Sequence, residues 1–231
     1  MDATYKKIGI FGGTFDPIHT GHLMLAEAAC CSFGLDKVLF MPTPSPYHRT
    51  DKKVQDLEHR INMVKLAIEG NDHFEFSDFE IALPGPTYTY NTLKAFKKEY
   101  PDCEIYLIIG GDSLFSIEQW YKFKGIMKMA ILLSSKREDE TKGASGSLGT
   151  SADGSENADY SDSEDPLHDE FLSRVEELKS RYGARIYDIG MPNIEISSSG
   201  ISRRIREGKT VRYYVPDKVL EYIEENGLYR G

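Results

Sequence analysis

Six short apolar runs alternate along this chain with stretches of helical periodicity, and that alternation limits its fold more than any other feature. The runs are Lys7–Phe11, Lys37–Met41, Phe74–Phe79, Ile105–Ile109, Met129–Leu133 and Arg185–Ile189. Between them lie Gly21–Phe33, with Leu23, Ala26, Cys30 and Phe33 on one stripe, then Leu57–Glu69, Tyr90–Lys98 and Leu167–Tyr182. Strand followed by helix, repeated, predicts an α/β protein: a doubly wound parallel sheet with helices on both faces. The tail reads as helical twice more, at Ser199–Glu207 and Pro216–Glu225, with Pro216 suited to a first turn, so a helical C-terminal end is expected. At 231 residues the chain suits a single domain, 1–231, large enough to bury a core without staples.

One stretch breaks the rhythm. Thr141–Asp165 is Gly, Ser, Ala, Asp and Glu with almost nothing apolar, which predicts a disordered acidic insertion at 141–165. Ser161 and Ser163 lie beside acids and are candidates for phosphorylation, against the simpler reading of a solvated loop. Residues 138–170 carry eleven acids and one base, Lys142, so a net charge of −9 for the whole chain conceals a body near +1. So balanced a body points to neither a nucleic acid nor a membrane surface as partner, while small anionic substrates remain open. No apolar run reaches the roughly 18–20 residues of a membrane span. Lys6 and Lys7 are followed by too short an apolar run for a signal peptide. The three cysteines, Cys30, Cys31 and Cys103, include two adjacent ones and no metal-type spacing, so a reduced, cytoplasmic protein is expected. A homo-oligomer is compatible with the sequence.

The first strand runs into Gly12-Gly13-Thr14-Phe15-Asp16-Pro17-Ile18-His19-Thr20-Gly21-His22 and then a helix. Ligands of parallel sheets bind at the carboxyl ends of strands. Glycines let a phosphate approach the backbone, and a helix N-terminus favours an anion. The stretch is neither a GxGxxG fingerprint nor a P-loop, and it has no P-loop lysine. Two histidines three residues apart at the helix start can face one ligand and donate to phosphate oxygens. A metal pair lacking a third ligand and two unrelated capping histidines are the competing readings.

The pattern G-x-F-D-P-x-H-x-G-H resembles the signature of the HxGH nucleotidylyltransferases. Their second signature, ISSTxIR, is matched by Ile196-Ser197-Ser198-Ser199-Gly200-Ile201-Ser202, and their G-x-D-x-L by Gly110-Gly111-Asp112-Ser113-Leu114. Pro44–Arg49, Gly85–Thr92, Trp120-Tyr121, Arg212–Pro216 and Asn226–Tyr229 are similar to stretches of the bacterial nicotinate-nucleotide adenylyltransferases. The resemblance implies a Rossmann-like nucleotidylyltransferase fold and an enzyme that moves AMP from ATP to nicotinate mononucleotide, giving deamido-NAD and pyrophosphate in NAD biosynthesis. The same chemistry on nicotinamide mononucleotide or phosphopantetheine is the nearest alternative. A nucleotide-binding regulatory protein without turnover is another.

The resemblance implies catalytic roles for His19 and His22 as donors to the triphosphate. For ATP it points to Gly12, Gly13, Thr14, Phe15, Gly110, Asp112, Ser198 and Ser199, with Mg²⁺ bound mostly through phosphate oxygens and water. Asp112 sits where a carboxylate can accept from ribose hydroxyls, or cap a helix starting near Ser113. For the acceptor, Trp120 is expected to stack on the pyridine ring while Thr89 and the Tyr121 backbone meet the carboxylate. A core role is the alternative for this single tryptophan. His48 and Arg49 follow a proline-rich turn and suit a lid carrying charge. The signature's arginine falls on Ser202; Arg203 and Arg206 are the candidates to replace it, or else form a solvated basic face. Asp16, His59 and Arg60 recur in the pattern, and an ion pair on the helix accounts for the last two.

Overall fold

The structure, a computed structural model, describes residues 5–44, 54–85, 87–135, 166–191 and 196–230. In chain order the elements are β1 (Lys7–Gly13), α1 (Thr20–Phe33), β2 (Lys37–Pro42), α2 (Leu57–Ile68), β3 (Phe74–Phe76), α3 (Phe79–Ala82), α4 (Thr89–Glu99), β4 (Glu104–Gly110), α5 (Gly111–Ser116), a 3-10 turn (Ile117–Gln119), α6 (Phe123–Met129), β5 (Ile131–Ser135), α7 (Pro166–Tyr182), β6 (Ile186–Asp188), α8 (Ser198–Arg206) and α9 (Asp217–Glu225). The strands form one parallel six-stranded sheet in the order β3-β2-β1-β4-β5-β6. This is the strand order of the doubly wound fold, and its direction of winding reverses between β1 and β4.

Both faces of the sheet are buried, so its strands read as continuous apolar runs. Side chains alternate between two cores. Val38 and Phe40 of β2 join Tyr106 and Ile108 of β4 under α1, α2, α8 and α9. Leu39 and Met41, with Ile105, Leu107 and Ile109, pack under α4, α5, α6 and α7. The buried stripe of α1 is Leu25, Ala26, Ala29 and Cys30. Leu23 and Phe33, expected on that stripe, are only partly buried at its margin. Phe79 belongs to a helix rather than to the end of a strand, and Met129 closes α6 rather than opening β5. Three short helices, α3, α5 and α6, had no periodic signal because each is under two full turns. Helix α6 is held by contact: a side chain at Gly125 would overlap the Tyr90 ring, so α4 and α6 meet at that glycine. The expected insertion at 141–165 lies outside the described residues, as do Ser161 and Ser163.

Candidate active site

The crevice lies at the reversal point. Gly13 at the end of β1 is level with Pro42 of β2, and Gly110 at the end of β4 with Ser135 of β5. A side chain at Gly12 or Gly110 would meet nothing within 4 Å. Two neighbouring strands thus end in bare backbone facing open space, which lets a phosphate or ribose approach main-chain groups. Gly13 differs, since a Cβ there would lie 3.2 Å from the Phe15 ring. Phe15 itself is 2% exposed, at φ 48°, and packs edge-on against Phe11 and His22. Its side chain therefore supports the His22 ring, and its backbone is the part available to a ligand.

His19 and His22 form a reciprocal cap at the start of α1. His22 N–H donates to His19 Nδ1 at 3.3 Å, and His19 N–H donates to His22 Nδ1 at 3.2 Å. This is the capping-box arrangement with imidazoles in place of the usual hydroxyl and carboxyl groups. The rings stack 3.6 Å apart at 20°. Each Nδ1 accepts a backbone N–H, so each ring is held as the neutral tautomer with its proton on Nε2. Capping and ligand donation, rival readings of this pair in the sequence, thus use opposite nitrogens of the same rings. Gly21 leaves room between them: a Cβ there would stand 3.2 Å from His19 Nδ1, so the ring would have to shift by a few tenths of an ångström. His22 is half-buried, whereas His19 is 1% exposed, so a ligand reaches His19 only as its cover shifts.

The second signature packs against the first. Ser197 caps α8, accepting from Gly200 N–H at 3.1 Å, so the helix begins one residue earlier than expected. Ser198 Oγ donates to Pro17 O at 2.8 Å, which ties α8 to the loop after β1 and commits that hydroxyl proton. Ser199 lies half-buried in the first turn of the same helix. Ser202 is buried and donates to Ser198 O at 2.9 Å, so the signature's arginine position is occupied by a hydroxyl satisfied within the helix. Arg203 lines a shallow cleft with Ser197, Gly200, Lys209 and Tyr214. Arg206 is exposed and does not line that cleft. Arg204 is fixed by two bonds to Thr210 O and by the Tyr214 ring. The tail also covers the first turn of α1: Thr20 N–H donates to Tyr214 O and Thr20 Oγ1 to Tyr213 O.

Asp112 lies exposed in the first turn of α5, whose N-cap is Gly110. The alternative that it caps a helix starting near Ser113 does not hold: the helix starts earlier, and the carboxylate sits at its positive end. Of the residues expected to meet the acceptor, Thr89 opens α4, flanked by Tyr88 and Tyr90. Tyr121 stacks on Tyr88 at 4.7 Å and meets Tyr90 edge-on at 6.0 Å, which brings position 121 to the start of α4. Lys122 lies 5.1 Å above each of the Tyr90 and Tyr121 rings. Trp120 is partly buried and packs against the core beneath α4 and α6. His48 and Arg49 lie outside the described residues.

Arg60 is where sequence reasoning fell short. The expected surface ion pair with a neighbour is absent from its contacts; the side chain is 1% exposed. Its guanidinium donates to Gln55 O at 3.0 Å, Thr14 O at 2.9 Å, Thr43 O at 2.8 Å and Pro44 O at 3.3 Å. His59 instead turns to the Tyr222 hydroxyl of α9 at 2.9 Å. Asp16 is buried, accepting from the Tyr229 hydroxyl at 2.7 Å and facing Gln55 N–H at 3.4 Å. Burial pushes the Tyr229 phenol up, reinforced by the Asp16 carboxylate. The available signal was positional: Arg60 shares the helix face of Met63, Val64 and Leu57, where an apolar residue is expected. Among the described residues no helix is long and apolar enough to cross a membrane, and no three His, Cys, Asp or Glu side chains gather as a metal site.

The cytidylyltransferase-like family model matches residues 10–204, which spans both signatures. A probable nicotinate-nucleotide adenylyltransferase of Lachnoclostridium phytofermentans is 36% identical over 97% of this chain and 99% of its own. The nicotinate-nucleotide adenylyltransferase of Bacillus subtilis is 34% identical over 98% of this chain and 100% of its own. The solved structure of Plasmodium falciparum nicotinic acid mononucleotide adenylyltransferase complexed with NaAD superposes with a TM-score of 0.70 at 20% identity, covering 97% of this chain and 98% of that one, a likeness of fold. With a strand order, a paired-histidine cap and a whole-length sequence match in agreement, this chain belongs to the nicotinate-nucleotide adenylyltransferase family, within the cytidylyltransferase-like nucleotidylyltransferases.

Proposed function

We infer that this enzyme joins the 5′-phosphate of nicotinate mononucleotide to the α-phosphorus of ATP, and that the His19–His22 pair carries the reaction. A phosphate oxygen of the acceptor forms the new P–O bond. The bond from the α-phosphorus to the bridging oxygen breaks, and pyrophosphate leaves with its electron pair. The nucleophile is already an anion, so no general base is needed. The protein's work is to align two anions and to stabilise charge growing on the bridging and α-phosphate oxygens.

The observation that carries this reading is the reciprocal cap. It holds two neutral rings close to parallel, each with an Nε2–H donor whose direction the cap fixes before a ligand arrives. His22 is the accessible donor and His19 the one uncovered on binding. Backbone at Gly12–Phe15 and at Gly110 receives the nucleotide, Asp112 accepts from the ribose, and the α8 N-terminus with Ser198 and Ser199 faces the phosphates. Arg203, at the cleft beside Ser197 and Gly200, replaces the arginine absent at Ser202. Mg²⁺ suits a site with no carboxylate cluster among the described residues, because its ligands would be phosphate oxygens and water, and its charge would neutralise the triphosphate. For the acceptor, Thr89 and the Tyr121 backbone meet the carboxylate and Trp120 the pyridine, with His48 and Arg49 completing the pocket. We place the enzyme in the cytoplasm, where its three unbridged cysteines stay reduced.

Pyrophosphate release from ATP, measured separately with nicotinate mononucleotide, nicotinamide mononucleotide and phosphopantetheine, tests the reading. Turnover confined to the first supports it. Preference for another acceptor, or binding of ATP without turnover, overturns it.

A further inference from the structure

We propose that Arg60 is a positioning residue that locks the ATP loop after β1 to the chain where it leaves β2 and where it enters α2, and that Asp16 and Tyr229 make the C-terminal segment part of that lock. The proposal rests on the adenylyl-transfer reading above. Arg60 is on α2, away from both signatures in sequence, yet its guanidinium is the meeting point of three chain segments. It donates to Thr14 O, in the loop that follows β1 and leads to His19. It donates to Thr43 O and Pro44 O, where the chain leaves β2. It donates to Gln55 O, where the chain returns to α2. Thr43 and Pro44 on one side and Gln55 on the other are thus held by the side chain that also holds the ATP loop.

Five N–H donors in a planar fork suit four carbonyls converging from different directions; one ammonium cannot reproduce that geometry. The side chain is 1% exposed, so the carbonyls it satisfies have no water to replace it. Asp16 lies next to the same loop and accepts from Tyr229 Oη at 2.7 Å, a bond linking residues 213 positions apart. Asp16 also faces Gln55 N–H at 3.4 Å, so both ends of Gln55 are drawn to the lock. Leu228 and Tyr229 are buried, which fastens the last turn of chain against α2. A ligand that shifts the backbone at Thr14 therefore acts on a side chain shared with Thr43, Pro44 and Gln55.

The test uses Arg60→Lys, which keeps the charge but not the fork, and Tyr229→Phe, which removes one hydroxyl. Steady-state rates are measured well below each variant's thermal midpoint. We expect Arg60→Lys to raise KM for ATP and for nicotinate mononucleotide together, each by about tenfold, with a smaller fall in kcat. Tyr229→Phe should raise both KM values in the same direction by about threefold. A purely structural role would lower the midpoint and leave both KM values within twofold in the folded protein, and that result overturns the proposal. So does a change confined to one substrate. If Arg60→Lys does not fold, Tyr229→Phe alone decides, because it leaves the guanidinium and its carbonyls intact. Unmodified protein run alongside with each acceptor reports separately on whether adenylyl transfer to nicotinate mononucleotide is the reaction.

Discussion

At the scale of single residues, the histidine pair separates two roles that a simple alanine scan would merge. Replacing a cap by alanine destabilises a helix by about 1 kcal/mol and removes any donor at the same time. Asparagine is among the preferred caps and can accept the His22 N–H, but it has no group where Nε2 was. His19→Asn should therefore keep the thermal midpoint within a few degrees while kcat falls by about 10²–10³. Pyrophosphate-release kinetics beside a thermal melt checks it; near-normal kcat in a folded variant would remove the donor role. Gly21→Ala makes a finer version of the same point. Alanine favours a helix over glycine by about 1 kcal/mol, but its Cβ must displace a ring 3.2 Å away. The variant should be as stable as the parent or slightly more so, with kcat lower by roughly tenfold because the His19 ring moves by a few tenths of an ångström.

At the scale of elements, Glu80 shows how short helices are fastened near the site. It is buried in α3 and accepts from Thr92 Oγ1 of α4 at 3.1 Å. Burial pushes its carboxyl above the ordinary value, opposed by hydroxyl bonds from Thr92 and Thr43. A carboxyl whose folded-state pKa is raised binds its proton more tightly when folded. Its contribution to stability is complete below the unfolded pKa, about 4.5, and is lost as pH rises through the raised value. Glu80→Gln removes that loss. The stability difference between variant and parent, from urea unfolding at a series of pH values, should move in the variant's favour from pH 4 towards neutrality. A flat difference would show that the carboxyl is not destabilised by burial.

At the scale of the whole molecule, the Tyr121 ring meets Tyr88 and Tyr90 at the start of α4, and the acceptor pocket proposed there is expected to sort an acid from an amide. The proposed partners are the Tyr121 N–H, which only donates, and the Thr89 hydroxyl, whose bond is stronger to a charged carboxylate than to a neutral amide. An amide NH₂ turned to the Tyr121 N–H leaves that buried donor unpaired, at about 1–3 kcal/mol. kcat/KM for nicotinate mononucleotide should exceed that for nicotinamide mononucleotide by at least roughly a hundredfold. Thr89→Val should reduce the acid more than the amide, whereas Trp120→Ala should weaken both alike, since stacking does not read the carboxylate. Equal efficiency on both acceptors in the unmodified enzyme would show that the pocket does not discriminate in this way.

The sequence by itself determined the α/β class, all six strands to within a few residues and the positions of both signatures, because apolar periodicity and glycine-histidine spacing are local properties. Parallel strands buried on both faces announce themselves as apolar runs, as Leu39–Met41 and Ile105–Ile109 do. Only the tertiary structure decided which hydrogen bonds the site residues make. That Arg60 grips Thr14, Thr43, Pro44 and Gln55, that Ser198 donates to Pro17 and that Tyr229 donates to Asp16 all depend on partners set by packing. A buried arginine looks like a surface one in sequence. Its carbonyl partners come from loops distant in the chain, and the free energy that keeps it inside comes from satisfying them all at once.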